Sequence, residues 1–194
     1  MPRLYLASQS PRRLELLAQI GVPVTVMAAD IDEAIHLNET AEHYVKRLAL
    51  EKARVIQTRL QDPEAFVLGA DTSVVLDGVI LGKPSDHAES IKMLSALSGR
   101  THQVLTAVAL VGHAVANVIC VSCEVRFRRL TAAEIEAYWH TGEPCDKAGS
   151  YGIQGLGAVF VESIRGSYSA VVGLPLCETS ALLAEQGIGV WQKG

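Results

Sequence analysis

Arg12 and Arg13 stand side by side directly after Ser10-Pro11. Serine followed by proline signals a helix start, with serine at the N-cap and proline in the first turn. Cations are disfavoured there, because the helix dipole already makes that end positive. Free N–H groups and two guanidinium forks together form an anion site best matched to phosphate. The bland alternative is a surface helix carrying two solvated arginines. Ser8 and Ser10, two hydroxyls at the preceding turn, favour the phosphate reading. Lys52 is a second anomaly. It lies four residues after Leu48 and four before Ile56, on the apolar stripe of Val45, Leu48, Ala49, Ala53 and Ile56. It either snorkels at the edge of a core or points at a negative ligand. Asp71 follows the apolar run Leu68-Gly69-Ala70 and is read as closing a strand, where α/β sheets place ligands. A carboxylate there can hold a divalent metal, act as a general base, or simply turn the chain. Gly82-Lys83-Pro84 adds a lysine just past a hairpin, outside any Walker pattern. Asp146-Lys147 and Tyr151-Gly152-Ile153-Gln154-Gly155 fill a glycine-rich stretch that either closes on a ligand or is a plain connection.

The elements that must position these residues alternate between strand and helix. Arg3 to Ala7 reads as a first strand, followed by a helix from Ser10 that Gly21 ends. Val22, Val24 and Val26 alternate as a second strand. The acidic loop Asp30-Ile31-Asp32-Glu33 precedes a helix capped by Thr40 and running to about Leu60. Ala65 to Ala70 is a strand, and Asp77-Gly78 inside Val74 to Leu81 marks a hairpin. Ser85 to Leu97 is a helix closed by Gly99, and Thr131 with Glu134 forms a capping box for a helix that Gly142 closes. Ala158 to Ile164 is a strand, and Pro175 to Gln186 a last helix. The alternation gives an α/β fold whose hairpins make the sheet mixed.

Composition narrows the class. The chain has 194 residues, with 17 Lys and Arg against 21 Asp and Glu, for a formal net charge of −4. That length suits one domain, or two small lobes sharing a core. An acidic total argues against a generic nucleic-acid binder, while leaving room for a local basic site. Hydrophobic residues make up 49% and aromatics 5%, so the core is expected to be mostly aliphatic. From Thr101 to Cys123 no Asp, Glu, Lys or Arg occurs, long enough for a membrane span. The period-two pattern continuing to Arg128 instead reads as a hairpin turning near Gly112 to Asn117. The N-terminus lacks the apolar run of a signal peptide, which points to the cytoplasm. Cys120 and Cys123 are spaced C-x-x-C, but on a strand they face opposite ways and are read as buried free thiols. The six histidines show no ligand spacing.

Taken in order, these motifs resemble a known family. Ser8-Gln9-Ser10-Pro11-Arg12-Arg13-Leu14-Glu15-Leu16-Leu17 is similar to the opening signature of the Maf family of nucleoside-triphosphate pyrophosphatases. Gly69-Ala70-Asp71-Thr72, Gly82-Lys83-Pro84, Leu97-Ser98-Gly99, Thr141-Gly142-Glu143-Pro144 and Asp146-Lys147-Ala148-Gly149 continue the resemblance. So do Gly166-Ser167-Tyr168 and Val171-Val172-Gly173-Leu174-Pro175-Leu176. Ser169-Ala170 departs from the Ser-Asn that many members carry.

The resemblance implies a single Maf-like domain over residues 1–194, with an elongated mixed sheet, flanking helices and two lobes around a central cleft. The fold would be related to inosine-triphosphate pyrophosphatases, often as a homodimer. It implies cleavage of a nucleoside triphosphate to the monophosphate and pyrophosphate with a divalent cation, Mg²⁺ or Mn²⁺. By motif match, Asp71 is the proton acceptor, and Glu33 an acidic residue near the metal that Asp71 also helps hold. Arg13, Lys52 and Lys83 match cations around the phosphates, and Ser8 falls in the same substrate-binding set. Arg12, Thr72 and Gln154 match positions of substrate choice. Tyr151 to Gly155 looks like the branch acting on dTTP and UTP. The alternatives are a modified pyrimidine nucleotide as the physiological substrate, a 7-methyl-GTP pyrophosphatase, and a nucleotide-binding regulator of septum formation. No nucleic-acid or membrane partner is expected.

Overall fold

The structure is a computed structural model and describes residues 3–60 and 62–191. The expected mixed α/β architecture is present. The sheet follows the order β2-β1-β3-β5-β6-β7, with β4 paired to β3. Its strands are β1 (Arg3–Ala7), β2 (Thr25–Val26), β3 (Ala65–Leu76), β4 (Val79–Leu81), β5 (Thr101–Val111), β6 (Ala116–Phe127) and β7 (Val161–Arg165). The helices are α1 (Pro11–Gln19), α2 (Ala41–Leu60), α3 (His87–Leu97), α4 (Ala132–Trp139), α5 (Tyr168–Val172) and α6 (Leu176–Glu185). β1 runs parallel to β2 and β3, whereas β4 and β7 join antiparallel. The charge-free stretch from Thr101 forms β5 and the start of β6, turning at Gly112 and Val115. Among the described residues no helix is long and apolar enough to cross a membrane.

The chain divides into two compact units. One comprises the described residues to Asp71, Thr106–Val121 and Gly173 onward; the other comprises Thr72–Leu105 and Ser122–Val172. In the first, α2 buries Val45, Leu48, Ala49, Ala53 and Ile56, the stripe legible in the sequence. Thr40 Oγ1 accepts from His43 N–H at 3.3 Å and caps that helix. Helix α1 ends in a Schellman motif, with Gly21 N–H on Ala18 O, Val22 N–H on Leu17 O, and Gly21 at φ 66°. Val22 to Val26 gives only the two-residue β2, because Pro23 offers no N–H to a ladder. Ser10 occupies the N-cap of α1 but makes no side-chain cap hydrogen bond. Pro11 has no N–H, and Ser8 Oγ accepts the Ser10 N–H instead, at 3.1 Å.

In the second unit, Asp77 and Gly78 take φ 51° and 79°, as a two-residue primed turn requires, and close the β3–β4 hairpin. Helix α3 begins at His87 rather than Ser85, because Asp86 is the cap that accepts Glu89 N–H at 2.8 Å. The Thr131–Glu134 capping box forms as expected. Strand β7 starts at Val161, later than Ala158, since Leu156–Phe160 is a 3₁₀ turn. Helix α5, absent from the sequence reading, contains the departing Ala170, which is 1% exposed and has turned from solvent.

The core is mostly aliphatic in both units, as expected, and the second unit adds a group of buried aromatic rings to its Val, Leu and Ile side chains. There Phe127 and Tyr151, with centroids 4.7 Å apart, pack edge-to-face on His102, and Phe160 and then Tyr138 extend the cluster from Phe127. His102 is 2% exposed, shares a 2.8 Å hydrogen bond with the Tyr151 hydroxyl, and has no partner for Nδ1 among the described residues. Burial pushes its imidazole down from 6.5 to about 4. The unfolded chain therefore takes up a proton that the fold resists. The stabilisation is complete above pH 6.5 and is lost as pH falls toward 4. Between pH 7 and pH 5 the loss is about 2 kcal/mol. Urea unfolding of wild type and His102→Gln at both pH values checks this, and an equal slope in the two proteins would refute it.

Candidate functional site

In the first unit Ser8 after β1 and Arg13 in the first turn of α1 meet, and Lys52 on α2 meets Glu33 of the acidic loop and Asp71 inside β3. Ser8 follows β1 directly and is 7% exposed. Its Oγ accepts from Arg13 Nη1 at 3.1 Å, and Arg13 Nε donates to the Gly173 carbonyl at 2.9 Å. The Arg13 guanidinium is thus held in one orientation. Burial pushes its pKa down, while the negative charge of Asp71 pulls it up, the positive charge of Arg12 lowers it, and the negative charge of Glu33 raises it. Arginine remains charged throughout the physiological range. Arg12 is half-buried and has no hydrogen-bond or ion-pair partner among the described residues.

Lys52 leaves the α2 stripe and places its ammonium between two carboxylates. Nζ lies 2.8 Å from Asp71 Oδ1 and 2.7 Å from Glu33 Oε1. The Lys52 and Asp71 side chains are 11% and 10% exposed, and that of Glu33 is 51% exposed. The lysine is therefore not a snorkelling surface group. Asp71 does not close a strand, as expected from the sequence; β3 continues to Leu76. The run Thr72 to Leu76 is half-buried or buried on both faces, so the chain stays extended through an aspartate that is itself paired. Burial raises the Asp71 carboxyl above its ordinary value, against the opposing pull of Lys52 and Arg13 and with a smaller push from Glu33. A buried carboxylate with a raised pKa and fixed cations at hand is the pattern of a proton acceptor.

Two residues missed in the sequence fix the acidic loop. Tyr44 donates its hydroxyl to the Glu33 carbonyl at 2.9 Å. Burial lifts that phenol to about 12, aided by the charges of Asp71 and Glu33. Arg47 grips Glu39 through two nitrogens at 2.7 and 2.9 Å and donates to the Ala34 carbonyl at 2.9 Å. Spacing carried a signal for Tyr44, since Tyr44, Leu48 and Lys52 follow one another at four-residue steps on one helix face. Nothing in the sequence paired Arg47 with the loop.

Among the described residues no group of three or more His, Cys, Asp or Glu side chains is placed to hold a metal ion. Glu33 and Asp71 nonetheless present one hard oxygen each to a single cationic atom, Lys52 Nζ. That donor set fits a Mg²⁺ or Mn²⁺ ion completed by phosphate oxygens, since Mg²⁺ is commonly bound by one or two carboxylates plus substrate.

The remaining candidate residues belong to the second unit. Thr72 adjoins Asp71 on β3, and successive strand residues point to opposite faces. Lys83 is exposed in the segment after β4, where the Gly82 carbonyl accepts Gly149 N–H at 3.0 Å. Gln154 is exposed. Lys147 is turned into its own loop, 2.6 Å from Asp146 and 3.2 Å from the Glu143 carbonyl. Of the pair expected as buried free thiols, Cys123 is free and buried and Cys120 is free but half-buried; Cys145 and Cys177 are free and exposed.

Comparison with known proteins places this arrangement. The chain is 58% identical over 188 residues to the dTTP/UTP pyrophosphatase of Colwellia psychrerythraea, covering 95% of this chain and 89% of that one. It is 53% identical to the dTTP/UTP pyrophosphatase of Hahella chejuensis, covering 97% and 94%. Among solved structures it is similar to the Ham1 protein of Staphylococcus aureus, at 16% identity and a TM-score of 0.45 over 64% of this chain and 71% of that one. The Maf-like protein family model matches residues 3–186, which contain every candidate site residue. The chain therefore belongs to the Maf-like protein family.

Proposed function

We propose that the protein hydrolyses dTTP and UTP to the monophosphate and pyrophosphate. The names of its relatives support the substrate, and one observation carries the chemistry: a buried Asp71 held 2.8 Å from Lys52 and electrostatically coupled to Arg13. A triphosphate brings about four negative charges, and phosphoryl transfer depends chiefly on positioning and on neutralising that charge. Arg13, oriented by Ser8 and the Gly173 carbonyl, offers a fixed cation. Lys52 supplies a second, Arg12 has no competing partner among the described residues, and Lys83 is assigned to the phosphates on the family resemblance. A divalent cation held by Glu33, Asp71 and phosphate oxygens would supply further neutralisation at the reacting phosphoryl group.

Asp71 takes the proton of the attacking water. The water oxygen bonds to the α-phosphorus, the bond to the bridging oxygen breaks, and pyrophosphate leaves with that electron pair. Burial makes Asp71 a stronger base than an exposed carboxylate. Thr72 and Gln154 are assigned to substrate choice on the family resemblance. That resemblance also supports a single domain, a homodimer and a cytoplasmic setting.

A pyrophosphate-release panel with dTTP, UTP, CTP, GTP, ATP and 7-methyl-GTP, each with Mg²⁺ or Mn²⁺, tests the reading. dTTP and UTP are expected to lead by at least about tenfold, the discrimination available from a pair of base hydrogen bonds. A lead for 7-methyl-GTP would move the protein to another branch. No release from any nucleotide would favour the regulator.

A further inference from the structure

The motif Thr141-Gly142-Glu143-Pro144 finds no use in the chemistry above. Yet the Glu143 carboxylate organises the whole stretch that follows it. Oε1 accepts from the Tyr138 hydroxyl at 2.7 Å and from Gly157 N–H at 3.0 Å, and Oε2 accepts from Leu156 N–H at 2.8 Å. The Tyr138 oxygen accepts in turn from Gly152 N–H at 3.1 Å. Gly155 N–H closes a turn onto the Gly152 carbonyl at 3.3 Å, around Ile153 and Gln154.

Gly155 and Gly157 are the footprint of that carboxylate and phenol. A Cβ at Gly155 would fall 2.1 Å from Glu143 Oε2. One at Gly152 would meet the Lys147 side chain first, at 2.8 Å, and Glu143 Oε1 at 3.2 Å, and one at Gly157 would fall 2.6 Å from the Tyr138 oxygen. Gln154 sits between the first two, with its backbone constrained on both sides and its side chain exposed. Bonds from amides and a phenol to an ionised carboxylate are the strong class of hydrogen bond. Burial pushes the Glu143 carboxyl up, but the Tyr138, Gly157 and Leu156 donors and the charge of Lys147 outweigh it and hold it below its ordinary value.

We propose that Glu143, acting with Tyr138, is a positioning residue: it sets the turn that presents Gln154 and thereby governs base selection without touching the nucleotide. This rests on the reading of Gln154 as a base-selecting residue. A purely structural role would lower stability and leave substrate preference unmoved.

The test uses the full-length chain with Glu143→Gln and the milder Tyr138→Phe. Glu143→Gln keeps the shape but turns an amide donor toward a backbone N–H. Two readouts are combined: pyrophosphate release across the nucleotide panel, and amide hydrogen exchange. In both variants KM for dTTP and UTP is expected to rise about tenfold, with kcat within about threefold, because misplacement of a contact outside the reacting centre weakens binding first. The preference for dTTP and UTP over CTP narrows. Exchange at Gly152, Leu156 and Gly157 quickens, while exchange in α2 is unchanged. Unchanged KM and unchanged preference in folded variants would overturn the inference and leave the proposed activity intact. Unchanged exchange at the three amides would overturn it too. A wild-type protein that releases pyrophosphate from no nucleotide would overturn the activity itself, and with it the role in base selection.

Discussion

Asp71→Asn is expected to lower kcat by at least about 10³-fold while nucleotide binding survives, the scale set by losing a general base together with a charge aimed at the reaction. Asparagine keeps the shape and can still accept the Lys52 hydrogen bond that Asp71 accepts at 2.8 Å. Lys52 also keeps Glu33 at 2.7 Å, so the variant does not strand a buried ammonium. What disappears is a proton acceptor and one metal-competent carboxylate. Pyrophosphate release gives the first quantity, and calorimetric titration with a non-hydrolysable nucleotide the second. In wild type the acid limb of the pH–rate profile is expected above the ordinary carboxylate range, because burial raises this group. Any residual activity of the variant lacks that limb. Turnover within tenfold of wild type would remove Asp71 from the mechanism.

Gly69→Ala is expected to destabilise the protein by roughly 3 kcal/mol and to depress activity with it, the upper range for overpacking a core. A Cβ at this position would lie 2.1 Å from the Ala49 carbonyl oxygen and 2.9 Å from the Ala53 nitrogen. Those two atoms are partners in one turn of helix α2 and cannot move aside as a flexible side chain can. The helix must lift from β3, and Lys52, the neighbour of Ala53, lifts with it. The missing side chain at Gly69 is what lets α2 lie close enough for Lys52 to reach Asp71, two residues further along β3. Thermal unfolding and pyrophosphate release on the same preparation check both effects. A variant with wild-type melting temperature and wild-type kcat would show that α2 has slack at this contact.

Features governed by local chemistry were legible in the sequence. Gly21 after α1, the Thr131–Glu134 box and Asp77-Gly78 each satisfy or redirect backbone groups within a few residues, so neighbouring letters suffice. The α2 stripe was legible because its period repeats over about three turns. Long-range pairing was not. Asp71 reads as a strand end because aspartate is a poor strand former, and only its meeting with Lys52, 19 positions away, explains its place inside β3. Arg47 and its carbonyl on Ala34, 13 positions apart, carry no spacing signature. Glu143 was visible only as a letter in a motif, since its role appears once Leu156 and Gly157 fold back on it.

The lysine seated between Glu33 and Asp71 has a consequence for how ligand arrives. Two cations, Arg13 and Lys52, face two carboxylates, Glu33 and Asp71, so these four groups nearly cancel, and Arg12 beside them is left as the uncompensated cation. One uncompensated cation on a chain of net charge −4 exerts only a weak long-range pull on a free polyanion. Capture of nucleotide then depends more on short-range exchange of partners than on steering, and a nucleotide that brings its own divalent counter-ion approaches with less charge to overcome. The association rate is accordingly less sensitive to ionic strength than that of a protein that meets phosphates with an open basic surface.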